Sequence, residues 1–164
     1  MEKLNVQIVN NSANENPIYS TLQSAGADLR AWVGSNDHLF VHASTKGNDK
    51  EGNEVIYLMP NGRCKVDTGL HISLPEGYEA QIRPRSGLSL KQGMVAILGT
   101  IDADYRGSIG IIVHNISDEV LTIHEGDRIA QLVISRVSQA EFIPVDSLDE
   151  TERGEGGFGS TSIK

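Results

Sequence analysis

EGDRIAQLVISRV, residues 125–137, decides the fold class. Glu125-Gly126-Asp127 is a turn signal, and the ten residues behind it are rich in β-branched side chains at short spacing, the mark of a strand rather than a helix. The same texture recurs outward from it. LNVQIV (4–9), HLFVHA (38–43), EVIYLM (54–59), YEAQIR (78–83) and IGIIVHN (109–115) read as strands, punctuated by the turn signals Pro60-Asn61-Gly62 and Pro75-Glu76-Gly77. This spacing predicts roughly ten short strands. Only SGLSLKQG (86–93) offers a helical turn or two, opened by Ser86 and closed by Gly93. The expected architecture is all-β, a jelly roll or β-sandwich with one short helix.

A chain of 164 residues supports one domain with a real core and is too short for two comfortable ones. We expect that domain over residues 1–150, with a C-terminal arm over 151–164. Within the domain, the polar run ASTKGNDKEGNE (43–54) reads as the exposed tip of an extended hairpin at about 33–61. RGEGGFGST (153–161) has too much glycine to hold a helix or a strand interior, which makes the arm flexible.

The net charge of −8 argues against a polymeric nucleic-acid partner or an anionic membrane, both of which ask for a basic face. An anionic ligand therefore needs locally clustered Arg or amide donors. Cys64 is the only cysteine, so an intrachain disulfide is impossible and a cysteine-based zinc site has no ligands. The N-terminus has no apolar run of signal-peptide length, and no stretch approaches the ~20 apolar residues of a membrane helix. The expectation is a cytoplasmic protein, or a nuclear one in a eukaryote.

Five stretches hold more Gly, Asp, Arg and Ser than strands require: SAGADLRA (24–31), RPRSGLSLKQG (83–93), GTIDADYRGSIG (99–110), GDRIAQL (126–132) and the tail. Each alone has an ordinary explanation. AGADL can be a turn entering a strand, RSG a surface turn, Asp102 and Asp104 turn caps, Tyr105 a core residue, and Gln131 a solvent-facing position. In this order, the set resembles the trimeric dUTPase family, whose five ordered motifs correspond to these stretches. GTIDADYRG and RGEGGFGST are the most specific matches.

The resemblance implies a jelly-roll homotrimer with active sites at subunit interfaces. It implies Mg²⁺-dependent hydrolysis of dUTP to dUMP and pyrophosphate, which limits uracil incorporation into DNA and supplies dUMP for dTMP synthesis. Cleavage at the α-phosphorus needs a water in line with the leaving pyrophosphate and a base to orient it. Asp102 matches the family's catalytic residue. Asp28 resembles the carboxylate that reaches the metal through water, the metal being held mostly by substrate. Arg85, Ser86, Gly87 and Gln131 supply a cation, a hydroxyl, a backbone amide and an amide donor for phosphate.

The base and sugar would be selected between Met94 and Gly110, where the family uses a hairpin whose main chain reads the uracil edge. Ala96, Thr100, Ile101 and Gly110 fall there, and Tyr105 resembles the aromatic that packs on deoxyribose and excludes a 2′-hydroxyl. VAIL (95–98) is bulkier than in many relatives and carries no polar side chain, leaving recognition to the backbone. In the last motif, Phe158 is positioned by resemblance to stack on uracil, while Arg153, Gly159, Ser160 and Thr161 meet the phosphates. The rival enzyme is a dCTP deaminase, whose catalytic Glu shortly after the Arg-Ser pair has no counterpart in RSGLSLKQG. A non-catalytic nucleotide-binding regulatory trimer is the alternative from another class. A structural β-sandwich would explain the strands but not the motif order.

Overall fold

The computed structural model describes residues 3–157. In chain order its strands are β1 (Gln7–Asn10), β2 (Ala27–Arg30), β3 (Leu39–Asn48), β4 (Glu54–Asp67), β5 (Leu70–Ser73), β6 (Tyr78–Arg83), β7 (Met94–Ala96), β8 (Gly99–Ile101), β9 (Gly110–Asn115), β10 (Leu121–His124) and β11 (Arg128–Arg136). One helix, α1 (Ser86–Gln92), lies between β6 and β7. Every named strand pairing is antiparallel.

β11 is an interior strand, which is why its sequence reads so clearly. It pairs with β2 on one side and β6 on the other, and β8 extends that sheet beyond β6. A register shift between Arg128 and Ala130 lets the consecutive residues Ile129 and Ala130 both bury. The second sheet runs β10-β4-β9-β7, with β3 also pairing with β4. A small ladder joins β1 to β5.

Both large sheets feed a common core. Ile56, Leu58, Cys64, Val66, Ile111 and Val113 come from one, and Leu29, Ala80, Ile82, Ala130 and Leu132 from the other. The alternation in β9, where Ile111, Val113 and Asn115 are buried and their neighbours are not, is the period of a strand with one face inward. Each large aliphatic side chain buried in this way contributes roughly 1.5–3 kcal/mol. Burial in that core also pushes the Cys64 thiol up to about 12, which keeps it protonated and unreactive.

Two local expectations change. Pro60-Asn61-Gly62 does not separate strands, because it lies inside β4. There β3 passes from His42, opposite Arg63, to Ser44, opposite Leu58, so the extra residues of β4 bulge out while both strands continue. Asn61 absorbs the distortion with φ 58°, a region Asn tolerates. The true tip of this hairpin is Asp49–Asn53, where the Asp49 carboxylate accepts the amides of Glu51 and Asn53. In α1, the extended residue at the cap position is Arg85, so Ser86 is already helical and caps nothing; Gly93, with φ 70°, closes the helix as expected.

Asp67 is a buried carboxylate whose acid behaviour follows from its surroundings. Burial by itself raises its pKa, but the hydroxyls of Ser108 and Ser35 and the amides of Gly69 and Thr68 donate to it, and the balance lies below the ordinary value. A depressed folded-state pKa means that the unfolded chain takes up this proton first. The stabilisation is therefore complete above the unfolded value, near 3.9, and is lost as pH falls through the lower folded value. Urea unfolding at successive pH values is expected to show an acid limb that is shallower in Asp67→Asn than in the parent. Limbs of equal slope would remove Asp67 from the acid response.

Candidate active site

Strand register gathers the first group of polar residues. Asp28 on β2 stands opposite Gln131 on β11, which stands opposite Arg83 at the end of β6, so Pro84 and Arg85 emerge at the same level. Arg85 Nε lies 3.1 Å from Asp28 Oδ1, and Arg128 Nη1 lies 3.2 Å from Oδ2. Arg85 Nη1 also donates to the Arg128 carbonyl at 2.7 Å. Gln131 Nε2 donates to the Pro84 carbonyl at 2.9 Å. Gly26 makes room for it, since a Cβ there would clash with Gln131 Oε1.

Beside this cluster is a cleft of about 390 Å³ lined by Arg85, Ser86, Gly87, Leu88, Lys91, Gln92 and Gln131. Two cations, a hydroxyl and an amide donor on one open wall suit a phosphate-bearing ligand. The wall offers no cage for a bare metal ion. Among the described residues no group of three or more His, Cys, Asp or Glu side chains could hold one. The donor set fits a cation carried in by its ligand, with Asp28 as the nearby carboxylate. Asp28 Oδ2 accepts a hydrogen bond from Arg128, Oδ1 is ion-paired with Arg85, and the carboxylate retains lone pairs for a water.

The second group follows β8. Thr100 is exposed and Ile101 buried at its end, and Asp102 is exposed immediately beyond. The Asp102 carbonyl accepts the Tyr105 amide at 3.1 Å, closing a turn, while its carboxylate has no hydrogen-bond or ion-pair partner among the described residues. Tyr105 is about half exposed, and its hydroxyl donates to the Ser108 carbonyl at 3.1 Å. Its ring end covers Gly107, where a Cβ would run into the phenolic oxygen unless the Tyr105 ring moved. Ala96 is buried on β7, and Gly110 opens β9.

The expected hairpin between Met94 and Gly110 takes a different form. β7 pairs with β9, the Ile97 amide extends that pairing by donating to Ile112 O at 2.8 Å, and β8 crosses to the other sheet to pair with β6. Ile97 and Leu98 are exposed at the crossing, so the bulky VAIL side chains do not all turn inward.

One chain does not bring the two groups into a single cleft. Ile101 stands opposite Ala80, which places Asp102 level with Glu79, whereas Arg85 lies six positions further along the same direction. At ~3.3 Å per residue this separates Asp102 from Arg85 by roughly 20 Å. Arg153 is exposed, its Nε donating to Gly156 O at 2.9 Å. Phe158, Gly159, Ser160 and Thr161 lie outside the described residues.

Arg128 and Lys91 escaped the sequence reading. Arg128 sits in the quoted GDRIAQL stretch, and its signal is a positive charge entering a strand paired with the one that carries Asp28. Lys91 is in the last turn of α1, where a cation complements the helix terminus, so its position has an ordinary explanation that hides its place on the cleft.

The family model described as dUTPase matches residues 51–162. The deoxyuridine 5'-triphosphate nucleotidohydrolase of Finegoldia magna is 48% identical over 160 residues, covering 96% of this chain and 99% of the relative. The protein of the same description from Cytophaga hutchinsonii is 46% identical over 95% of this chain and 90% of its own. Among solved structures, the Staphylococcus bacteriophage 80alpha dUTPase with dUPNHPP superposes with a TM-score of 0.79 at 26% identity, covering 97% of this chain and 99% of that one.

Proposed function

The chain belongs to the dUTPase family and hydrolyses dUTP, and we propose that it does so with a water held by Asp102, in a site that two or more copies of the chain complete together. The observation that carries this reading is the contrast between the two carboxylates. Asp28 is occupied by two guanidinium groups, whereas Asp102 is exposed with its carboxylate free among the described residues. A free carboxylate can accept from a water; an ion-paired one is better suited to orienting its cations. The water oxygen bonds to the α-phosphorus as the bond from that phosphorus to the bridging oxygen of pyrophosphate breaks. The water's proton passes to Asp102, and dUMP and pyrophosphate leave.

Arg85, Ser86, Gly87 and Gln131 bind the phosphates from the cleft, with Asp28 holding the Arg85 and Arg128 side chains in place. Family members generally use Mg²⁺, which on the triphosphate offsets charge at the phosphate oxygens. Asp28 would face that ion through water. Ala96, Thr100, Ile101 and Gly110 belong to the segment that reads uracil through its main chain, and Tyr105 packs on the sugar. Arg153, Phe158, Gly159, Ser160 and Thr161 form the closing arm.

The roughly 20 Å between Asp102 and Arg85 supports the homotrimer, because one nucleotide cannot engage both from a single chain. No described helix is long and apolar enough to cross a membrane. We place the enzyme in the cytoplasm, where its lone buried thiol stays reduced.

A pyrophosphate-release assay with Mg²⁺ and dUTP, dTTP, dCTP and UTP side by side tests the whole reading. Turnover of dUTP alone is the expected result, since a pyrimidine edge with mismatched donors and acceptors can be rejected by roughly 10⁴-fold. Release of ammonia from dCTP would move the protein to the deaminases. Silence on all four nucleotides would leave a binding-only trimer.

A further inference from the structure

Asp67 ends β4 inside the core at 1% exposure and takes no part in the chemistry above. Its two oxygens face different neighbours. Oδ2 accepts the Ser35 hydroxyl at 2.6 Å, on the side of the extended hairpin. Oδ1 accepts the Thr68 amide at 2.9 Å, the Gly69 amide at 3.3 Å and the hydroxyl of Ser108. Ser108 in turn offers its backbone carbonyl to the Tyr105 hydroxyl. A buried carboxylate is thus joined, through one residue, to the ring read as the sugar contact.

The neighbouring ties have the same direction. Thr68 donates to the Ile109 carbonyl from its amide at 3.2 Å and from its hydroxyl at 2.7 Å, and His71 Nδ1 donates to the Arg106 carbonyl at 2.9 Å. Segment 67–71 therefore grips the loop at positions 106, 108 and 109, on both sides of Gly107, the residue with the least conformational preference of its own. Sugar selection amounts to excluding a single hydroxyl oxygen, so a ring displaced by ~1 Å would lose it.

We propose that Asp67, acting through Ser108, is a positioning residue that fixes Tyr105 and so sets the preference for a deoxyribonucleotide over a ribonucleotide. This rests on the reading of Tyr105 as the sugar contact. The two carboxylate oxygens provide an internal control: losing the Ser108 bond releases the loop at position 108 while the ties at 106 and 109 remain, whereas losing the Ser35 bond leaves all three donors on Oδ1.

The test is the ratio of kcat/KM for dUTP to that for UTP, measured with Mg²⁺ on the full-length chain, with a melting midpoint for each variant. Ser108→Ala is expected to lower the ratio about tenfold, the effect of one charge-assisted hydrogen bond. Ser108→Thr, which keeps the hydroxyl, restores it. Ser35→Ala lowers the melting midpoint comparably and leaves the ratio in place. If Ser35→Ala lowers the ratio as far as Ser108→Ala does, the effect is general loosening and the proposal fails. Tyr105→Ala separates the two levels of the argument. A ratio that falls in Tyr105→Ala but holds in Ser108→Ala overturns the positioning role alone; a ratio that holds in Tyr105→Ala overturns the sugar contact and, with it, this inference.

Discussion

Asp102→Asn is expected to lower kcat for dUTP by about 10³-fold, within the range for loss of a general base, while nucleotide affinity stays near that of the parent. The amide is close in size to the carboxylate, and no described partner depends on the Asp102 side chain, so the turn that its carbonyl makes with the Tyr105 amide persists. What disappears is the acceptor proposed for the water proton. Asp104 is the matched control, two residues away and likewise exposed; Asp104→Asn leaves turnover nearly unaffected. Equal losses at both positions would indicate a damaged turn rather than a missing base. The same variant examines the shared site. Arg85→Ala removes one of the two cations on the cleft and is expected to be weak on its own, but unfolding and refolding it together with Asp102→Asn chains should return activity if the proposed shared site holds, because mixed oligomers would then contain some sites with an intact residue of each kind. Mixtures no more active than their parts would mean that Asp102 and Arg85 serve one site from one chain.

The strands of this protein were legible through β-branched residues at short spacing, although only some of them, β9 among them, bury with strict alternation. β9 and β11 declare themselves through closely spaced β-branched residues, and both turn out to be interior strands. Pro60-Asn61-Gly62 misled for a physical reason: a bulge and a turn make the same local demands, and only the partner strand, continuing past Ala43, distinguishes them. The helix start slipped by one residue because a Ser beside a Gly resembles a cap, although the extended backbone belongs to Arg85. In the site, the residue types were readable from motif order, but their separation was not. That depends on β8 leaving β7 to pair with β6, a matter of sheet choice between segments with similar propensities. Asp67 was invisible for a further reason. Its meaning lies in Ser35 and Ser108, 32 and 41 residues away, which no local pattern connects.

Truncation after Glu152 is expected to leave the folded core intact and to lower kcat/KM for dUTP by about 10²-fold or more, the size of effect that follows when a group fixing substrate geometry is lost. The argument begins with what the C-terminal segment lacks. From Ser138 to Glu155 every residue is exposed, no strand forms, and the hydrogen bonds among the described residues there are local, between Thr151 and Gly154 and between Arg153 and Gly156. None of the core side chains comes from it. Among the described residues, removing 153–157 therefore withdraws little burial, and on the proposed arm the melting midpoint should move by no more than a few degrees. Activity has a different dependence. Ordering a glycine-rich segment over a ligand costs ~1–2 kcal/mol of backbone entropy per residue, so such a segment closes only where the ligand returns that energy through contacts. An aromatic stacked on a base contributes about 1–3 kcal/mol, and in the proposed arm a cation and hydroxyls would add charge-assisted bonds to phosphate. Contacts of this kind form only with nucleotide bound, so the proposed arm puts the expected loss in turnover and not in folding. Melting curves and pyrophosphate release measured on the same preparation separate the alternatives. A truncated chain with near-normal kcat/KM would sink the closing arm, and one that melts far earlier would show that these residues contribute to the stability of the fold or of the proposed assembly.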